Sequence, residues 1–144
     1  MHVVTGGAYN GKWQFVKELY RLTEEADFIK FSGYNVDKLP NDFLEIKTKY
    51  LIIQNIEQYV KSFFDNNASV PSQTEGFILN FLNWQEANPN CKLILIGDDI
   101  SKGVVPIEAK DREWRDMTGL MYQRLVQVSE RFDIVWHGIN KQLK

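Results

Sequence analysis

The chain has one cysteine, Cys91, and two histidines, His2 and His137. One thiol forms no internal disulfide, and with only two histidines beside it no Cys/His zinc centre can be assembled. Cys91 is expected simply to pack near the start of a strand. An excess of charge of one sign is also lacking: 17 Lys and Arg against 19 Asp and Glu leave a formal net charge of -2 and a pI near 5.7. That balance lacks the basic footprint of a nucleic-acid partner, but it leaves room for a small anion held locally. No apolar run approaches the roughly 18 residues of a membrane span, and Met1-His2-Val3-Val4-Thr5 runs straight into glycines rather than into a leader-like core. A cytoplasmic protein is expected, with no membrane partner. Internal repeats and low-complexity segments are missing as well.

What is present is a chain of 144 residues, 44% hydrophobic and 25% charged, enough for one domain over 1–144 with one buried core. Val3-Val4 opens a first strand that ends at glycines, and Phe15, Val16, Leu19, Tyr20 and Leu22 recur at helical spacing between Lys12 and Ala26. Asp27 to Phe31 predicts a second strand, closed by Ser32-Gly33. Asn35 to Asp42 reads as the longest loop. The β-branched run Tyr50-Leu51-Ile52-Ile53 suits a strand buried on both faces. Asn66 to Gln73, with Pro71, reads as a loop leading into a capping box, Ser72-Gln73-Thr74-Glu75, and a helix that stops near Pro89. Lys92 to Gly97 is the clearest buried strand; a helix from about Lys110 to Phe132 and a last strand, Ile134-Val135-Trp136, follow. This alternation predicts a three-layer α/β fold with a mostly parallel central sheet flanked by helices.

The stretch TGGAYNGKWQ, residues 5–14, follows the first strand. Gly6, four residues, then Gly11-Lys12 fits seven places of the phosphate-loop pattern G-x-x-x-x-G-K-[ST], and the eighth place holds Trp13. Two readings stand side by side. In one, Gly6, Gly7, Ala8, Tyr9, Asn10, Gly11, Lys12 and Trp13 form a nucleotide site in which the backbone N–H groups of Gly7 to Lys12, the start of the next helix and the Lys12 ammonium hold a phosphate. In the other, the glycines serve a tight strand-to-helix turn and Lys12 is solvated. Trp13 either buries its ring under the loop or stacks on a base.

Beyond the loop, Gly97-Asp98-Asp99-Ile100-Ser101-Lys102-Gly103-Val104-Val105-Pro106 is followed by Arg112-Glu113-Trp114-Arg115-Asp116-Met117-Thr118-Gly119. With Thr5-Gly6-Gly7-Ala8, this series resembles the bifunctional adenosylcobinamide kinase/adenosylcobinamide-phosphate guanylyltransferase family of cobalamin biosynthesis. That family carries Asn-Glu-Val-Gly-x-Gly-Ile-Val-Pro, then Arg-x-Phe-Arg-Asp-x-x-Gly and Asn-Gln-x-Leu-Ala. Asp99 stands where its Glu would be; Gln123 and Leu125 match the later pair, with Tyr122 in place of its Asn. The resemblance implies a RecA-like phosphate-loop domain, ATP or GTP as ligand, a corrinoid small molecule as substrate and a homo-oligomer.

The departures from the family pattern bear on chemistry. Trp13 replaces the serine whose hydroxyl holds magnesium in the family, and the neutral Gln54 falls near the acidic position at the end of the central strand. Tyr9-Asn10 replaces an Arg-Ser pair, and no histidine lies between His2 and His137, so the family's guanylylated nucleophile is missing. The resemblance therefore implies a shortened, diverged nucleotide binder with a degenerate metal site and weak or absent kinase activity; a residual corrinoid kinase or a non-catalytic interaction protein is the alternative. For a residual kinase, Lys12 and Asp99 are the catalytic candidates, and Asp98 and Asp99, just past a strand end, are the substitute metal carboxylates; the plain reading of the two acids is a solvated or capping turn. Arg112 and Arg115 either meet substrate phosphate or pair with Asp116 at helical spacing. His137 is expected to be structural. Trp84, Trp114, Trp136, Phe63 and Phe64 exceed what a core of this size needs and read as interface aromatics.

Overall fold

The computed structural model describes residues 1–34, 43–65 and 69–144. Six strands form one sheet in the order β2-β3-β4-β1-β5-β6. They are β1 (His2–Gly6), β2 (Phe28–Ser32), β3 (Tyr50–Gln54), β4 (Lys92–Asp98), β5 (Arg131–Trp136) and β6 (Ile139–Gln142). Every neighbouring pair is parallel except β5 with β6. The helices are α1 (Lys12–Tyr20), α2 (Ile56–Phe63), α3 (Val70–Ala87) and α4 (Ala109–Val128), with a short 3-10 turn at Phe43–Glu45. The expected three-layer α/β architecture is present.

Period-2 alternation in the strands divides the core between the two faces. Val4, Ile52, Ile94, Ile96 and Val135 pack with Val16 and Leu22 at the α1 side. Val3, Leu51, Ile53, Leu93 and Leu95 pack with Ile56, Phe81, Met121 and Leu125 of the other three helices. Because β3 and β4 are covered on both sides, they read as unbroken apolar runs. Cys91 precedes β4 and packs against the larger cluster. The chain leaves β1 through α1 toward β2 on one face, and leaves β4 through α4 toward β5 on the other. The carboxyl end of β1 therefore lies at the switch point, where open α/β sheets gather ligands.

Several boundaries differ from the sequence reading. The first helix stops at Tyr20, because Arg21 turns left-handed (φ 53) and its N–H and that of Leu22 close on Glu18 and Lys17 carbonyls. The third helix starts at Val70 with Ser69 as its N-cap residue, so Ser72 lies inside the helix and the expected capping box does not form. Pro71 sits in the first turn, where its missing N–H costs nothing. The expected loop over 66–73 is thus helical from Val70, with 66–68 outside the described residues; the longest expected loop, 35–42, lies outside them as well. The last long helix ends at Val128, and Phe132 belongs to β5. The sequence reading had no counterpart of α2 or β6. Trp84, expected at an interface, is fully buried and donates Nε1–H to the Ile46 carbonyl at 3.0 Å. Phe63, Phe64 and Trp114 pack against the same core; of the five, only Trp136 is well exposed, at 61%. Among the described residues, no helix is long and apolar enough to cross a membrane.

At the amino end of the sheet, His2 is buried between Tyr20 and Asp133, each 2.8 Å from a ring nitrogen. Asp133 also accepts from Arg131 Nε (2.6 Å) and Asn140 Nδ2 (2.8 Å), so it is ionised and His2 Nε2 carries the proton. Burial pushes the His2 imidazole down to about 4, although Asp133 opposes that. This histidine has a structural partner on each side and lies at the opposite end of the sheet from the glycine loop.

Candidate functional site

The loop from Gly6 to Gly11 is shaped by two glycines in positive-φ backbone, Gly6 (φ 151) and Gly11 (φ 88). A Cβ on Gly6 would strike the Val135 carbonyl, and one on Gly11 would crowd Gly138. The β5–β6 turn clamps the loop from one side: Gly138 N–H donates to the Asn10 carbonyl at 2.9 Å, and His137 N–H to Asn10 Oδ1 at 3.0 Å. His137 thus serves the loop through its backbone. Gly11 caps α1 without a side-chain bond, which leaves the helix start to backbone donors.

Lys12 opens α1 and is buried. Its Nζ donates to the Gly7 carbonyl at 2.7 Å and the Gly6 carbonyl at 3.3 Å, and stands 2.5 Å from Asp98 Oδ1. The solvated-lysine reading is therefore set aside. A cavity of about 550 Å³ lies over these groups, lined by residues 8–14 of the loop and helix with Tyr34, Gln54, Asn55, Ile96 and Asp98. Trp13 lines it too, with its ring packed on Phe28 (centroids 6.3 Å apart) and under Lys30 Nζ (4.9 Å).

Asp98 and Asp99 part company. Gly6 pairs with Asp98 across β1 and β4, which aims the Asp98 side chain at the α1 face beside Lys12. Asp99 lines a second cavity of about 330 Å³ on the α4 face, with Thr5, Thr118 and Tyr122. Its carboxylate accepts from Ser101 N–H (3.1 Å) and Ser101 Oγ (2.5 Å) and pairs with Lys102 at 3.3 Å. Burial pushes this carboxyl up, but the Ser101 donors and Lys102 outweigh it and hold it below the usual carboxylate range. Neither arginine reaches the loop. Arg112 donates to the Pro106 (3.0 Å) and Ile107 (2.5 Å) carbonyls, and Arg115 to the Ser101 carbonyl. Among the described residues neither pairs with Asp116, so these guanidiniums secure the segment between β4 and α4 rather than forming helical ion pairs.

One participant had no signal in the sequence. Glu57, in the first turn of α2, is fully buried and accepts the Asp98 N–H at 2.9 Å through Oε2. Tyr122 of α4 donates its hydroxyl to the Asp98 carbonyl at 3.2 Å, and burial raises this phenol well above its ordinary value, so it stays a donor. Burial likewise pushes the Glu57 carboxyl up to about 7, against the pull of the Asp98 N–H.

The donor set at the loop does not fit a divalent cation of the kind phosphate-loop enzymes use. The hydroxyl position is an indole, Gln54 is neutral, and among the described residues the one carboxylate on the cavity wall, Asp98, is matched by Lys12. No group of three or more His, Cys, Asp or Glu residues could hold a metal among the described residues. What the arrangement offers is an anion cradle: backbone donors, a helix start and one ammonium.

A family model described as cobinamide kinase / cobinamide phosphate guanyltransferase matches residues 33–143. That span runs from the end of β2 through β6; it includes Glu57 and Asp98 and begins after the glycine loop. No curated protein matches the chain.

Proposed function

Because the chain belongs to the cobinamide kinase / cobinamide phosphate guanyltransferase family of cobalamin biosynthesis, we propose that it binds the phosphates of ATP or GTP at residues 6–13 without a metal, with little or no phosphoryl transfer. The observation that carries this reading is Lys12, buried and poised in the loop between the Gly7 carbonyl and Asp98 at the wall of a nucleotide-sized cavity. An entering phosphate takes the Lys12 ammonium from Asp98 and collects the loop N–H groups; the positive end of α1 adds to the attraction. Catalysis is the part given up. Phosphoryl transfer is mostly positioning and charge neutralisation, and Asp98, the only cavity carboxylate among the described residues, is spent on Lys12. Guanylyl transfer through a histidine is likewise absent from this reading: His2 is locked to Asp133 and Tyr20 at the far end of the sheet.

A residual kinase is the second reading, and Asp98 is the observation that favours it, since this carboxylate faces the cavity. The corrinoid substrate of the family would then meet the nucleotide at the carboxyl ends of β1 and β4.

Calorimetric titration with ATP and with GTP, each in EDTA and in magnesium, separates the two. The proposal expects binding of equal strength in both media, weakened by about tenfold or more in Lys12→Ala. It expects Asp98→Asn to strengthen metal-free binding by about tenfold, because a carboxylate close to a phosphate is repelled. Binding that needs magnesium and disappears in Asp98→Asn would overturn the metal-free reading and favour the residual kinase. No binding under any condition would remove the nucleotide from the account.

A further inference from the structure

We propose that Glu57 is a positioning residue for the phosphate loop: by holding the Asp98 peptide it keeps the Asp98 carboxylate on Lys12, and so sets how tightly the loop takes a phosphate. The inference rests on the reading of the loop as a phosphate site.

Glu57 is an unusual residue to bury. It is 0% exposed, in the first turn of a helix whose other buried residues, Ile56 and Val60, are aliphatic. A buried carboxyl is costly unless it is bonded, and its partner here is the N–H of Asp98 itself. From the other side Tyr122 binds the Asp98 carbonyl. Asp98 is thus gripped at its N–H by α2 and at its carbonyl by α4, and its side chain is left to point at Lys12, 2.5 Å away. Gly97 makes the grip close enough: a Cβ there would lie 2.9 Å from Glu57 Oε2 and would collide with the Tyr122 hydroxyl. Trp114 donates Nε1–H to the Glu57 carbonyl at 2.7 Å, which ties the start of α2 to α4. None of these groups lines the loop cavity; the contact that carries Glu57 to it is the Asp98 N–H.

Asp98 competes with a phosphate for Lys12. A looser Asp98 is a weaker competitor, so removing Glu57 raises phosphate affinity, and it does so only while Asp98 keeps its charge.

The test is a double-mutant cycle on ATP affinity in EDTA at about pH 6, with wild type, Glu57→Ala, Asp98→Asn and the double variant. The expected result is that Glu57→Ala tightens ATP binding by about fivefold, within the usual range of coupling between sites. In the Asp98→Asn background the same change has less than about a twofold effect. Glu57→Gln keeps an acceptor oxygen and is expected to match wild type. Equal factors in the two backgrounds, or no change in Glu57→Ala with the fold intact, would overturn the inference while leaving the phosphate site standing. If wild type binds no ATP, the reading of the loop fails first and the inference falls with it. Should Glu57→Ala not fold, Tyr122→Phe releases Asp98 from the other side: a smaller tightening, again absent with Asp98→Asn, supports the proposal, and none overturns it.

Discussion

Replacing Glu57 by Gln should change how stability depends on pH far more than it changes stability at any one acidic pH. Burial raises the Glu57 carboxyl from 4.5 to about 7. Between those values the folded chain holds a proton that the unfolded chain has released, so Glu57 makes stability fall as pH rises through that window, and the loss is complete above about 7. At 1.36 kcal/mol per unit, the loss is about 3 kcal/mol. His2 acts in the opposite sense. Its value is lowered from 6.5 to about 4, so stability is lost as pH falls from 6.5 toward 4, also by about 3 kcal/mol. The two windows overlap, and the wild-type profile between about pH 4.5 and 6.5 should look deceptively flat. Glu57→Gln removes one of the opposing slopes. Urea unfolding of both proteins across this range should show the variant gaining about 3 kcal/mol on wild type from the acidic end to pH 7 and above, with equal m-values. A stability difference that stays constant with pH would refute the assignment of Glu57 as a carboxyl held neutral by burial.

Three further outcomes follow from named contacts. Gly97→Ala should cost about 1–3 kcal/mol in urea unfolding, because the new methyl meets Glu57 and the Tyr122 hydroxyl in a packed site. Trp84→Phe should cost about 2–4 kcal/mol, from the void it leaves and from the Ile46 carbonyl stripped of its donor. Asp99→Asn should leave nucleotide affinity within about twofold of wild type, since Asp99 is bound to Ser101 and Lys102 on the other face of the sheet; calorimetry that finds a large loss would return Asp99 to the site.

The strands that could be read from sequence were those whose pattern is local. Leu93 to Gly97 and Leu51 to Ile53 are unbroken apolar runs because helices cover both of their faces. β6 escaped for the opposite reason: all four of its residues are exposed, so it carries no apolar alternation, and its partner β5 determines it. α2 is only eight residues long, and its N-cap residue Asn55, though of a type favoured there, stands left-handed and makes no side-chain cap bond. The glycine loop was legible because its spacing is itself the geometry. The roles of Asp98 and Asp99 were not, since adjacent residues leave a strand on opposite faces and only the register of β4 against β1 decides which one meets Lys12. Glu57 lies 45 residues after Lys12 and 41 before Asp98. A contact of that kind leaves no trace in the spacing of either segment.

The most direct test of a metal-free phosphate cradle is to follow backbone amide resonances while pyrophosphate is added in EDTA. The account predicts that the amides of Gly7 to Lys12 move together and saturably, with Asp98 following as Lys12 leaves it, and that Lys12→Ala abolishes the response. Amides that stay still until magnesium is added, or that move instead around Ser101 and Arg115, would contradict it.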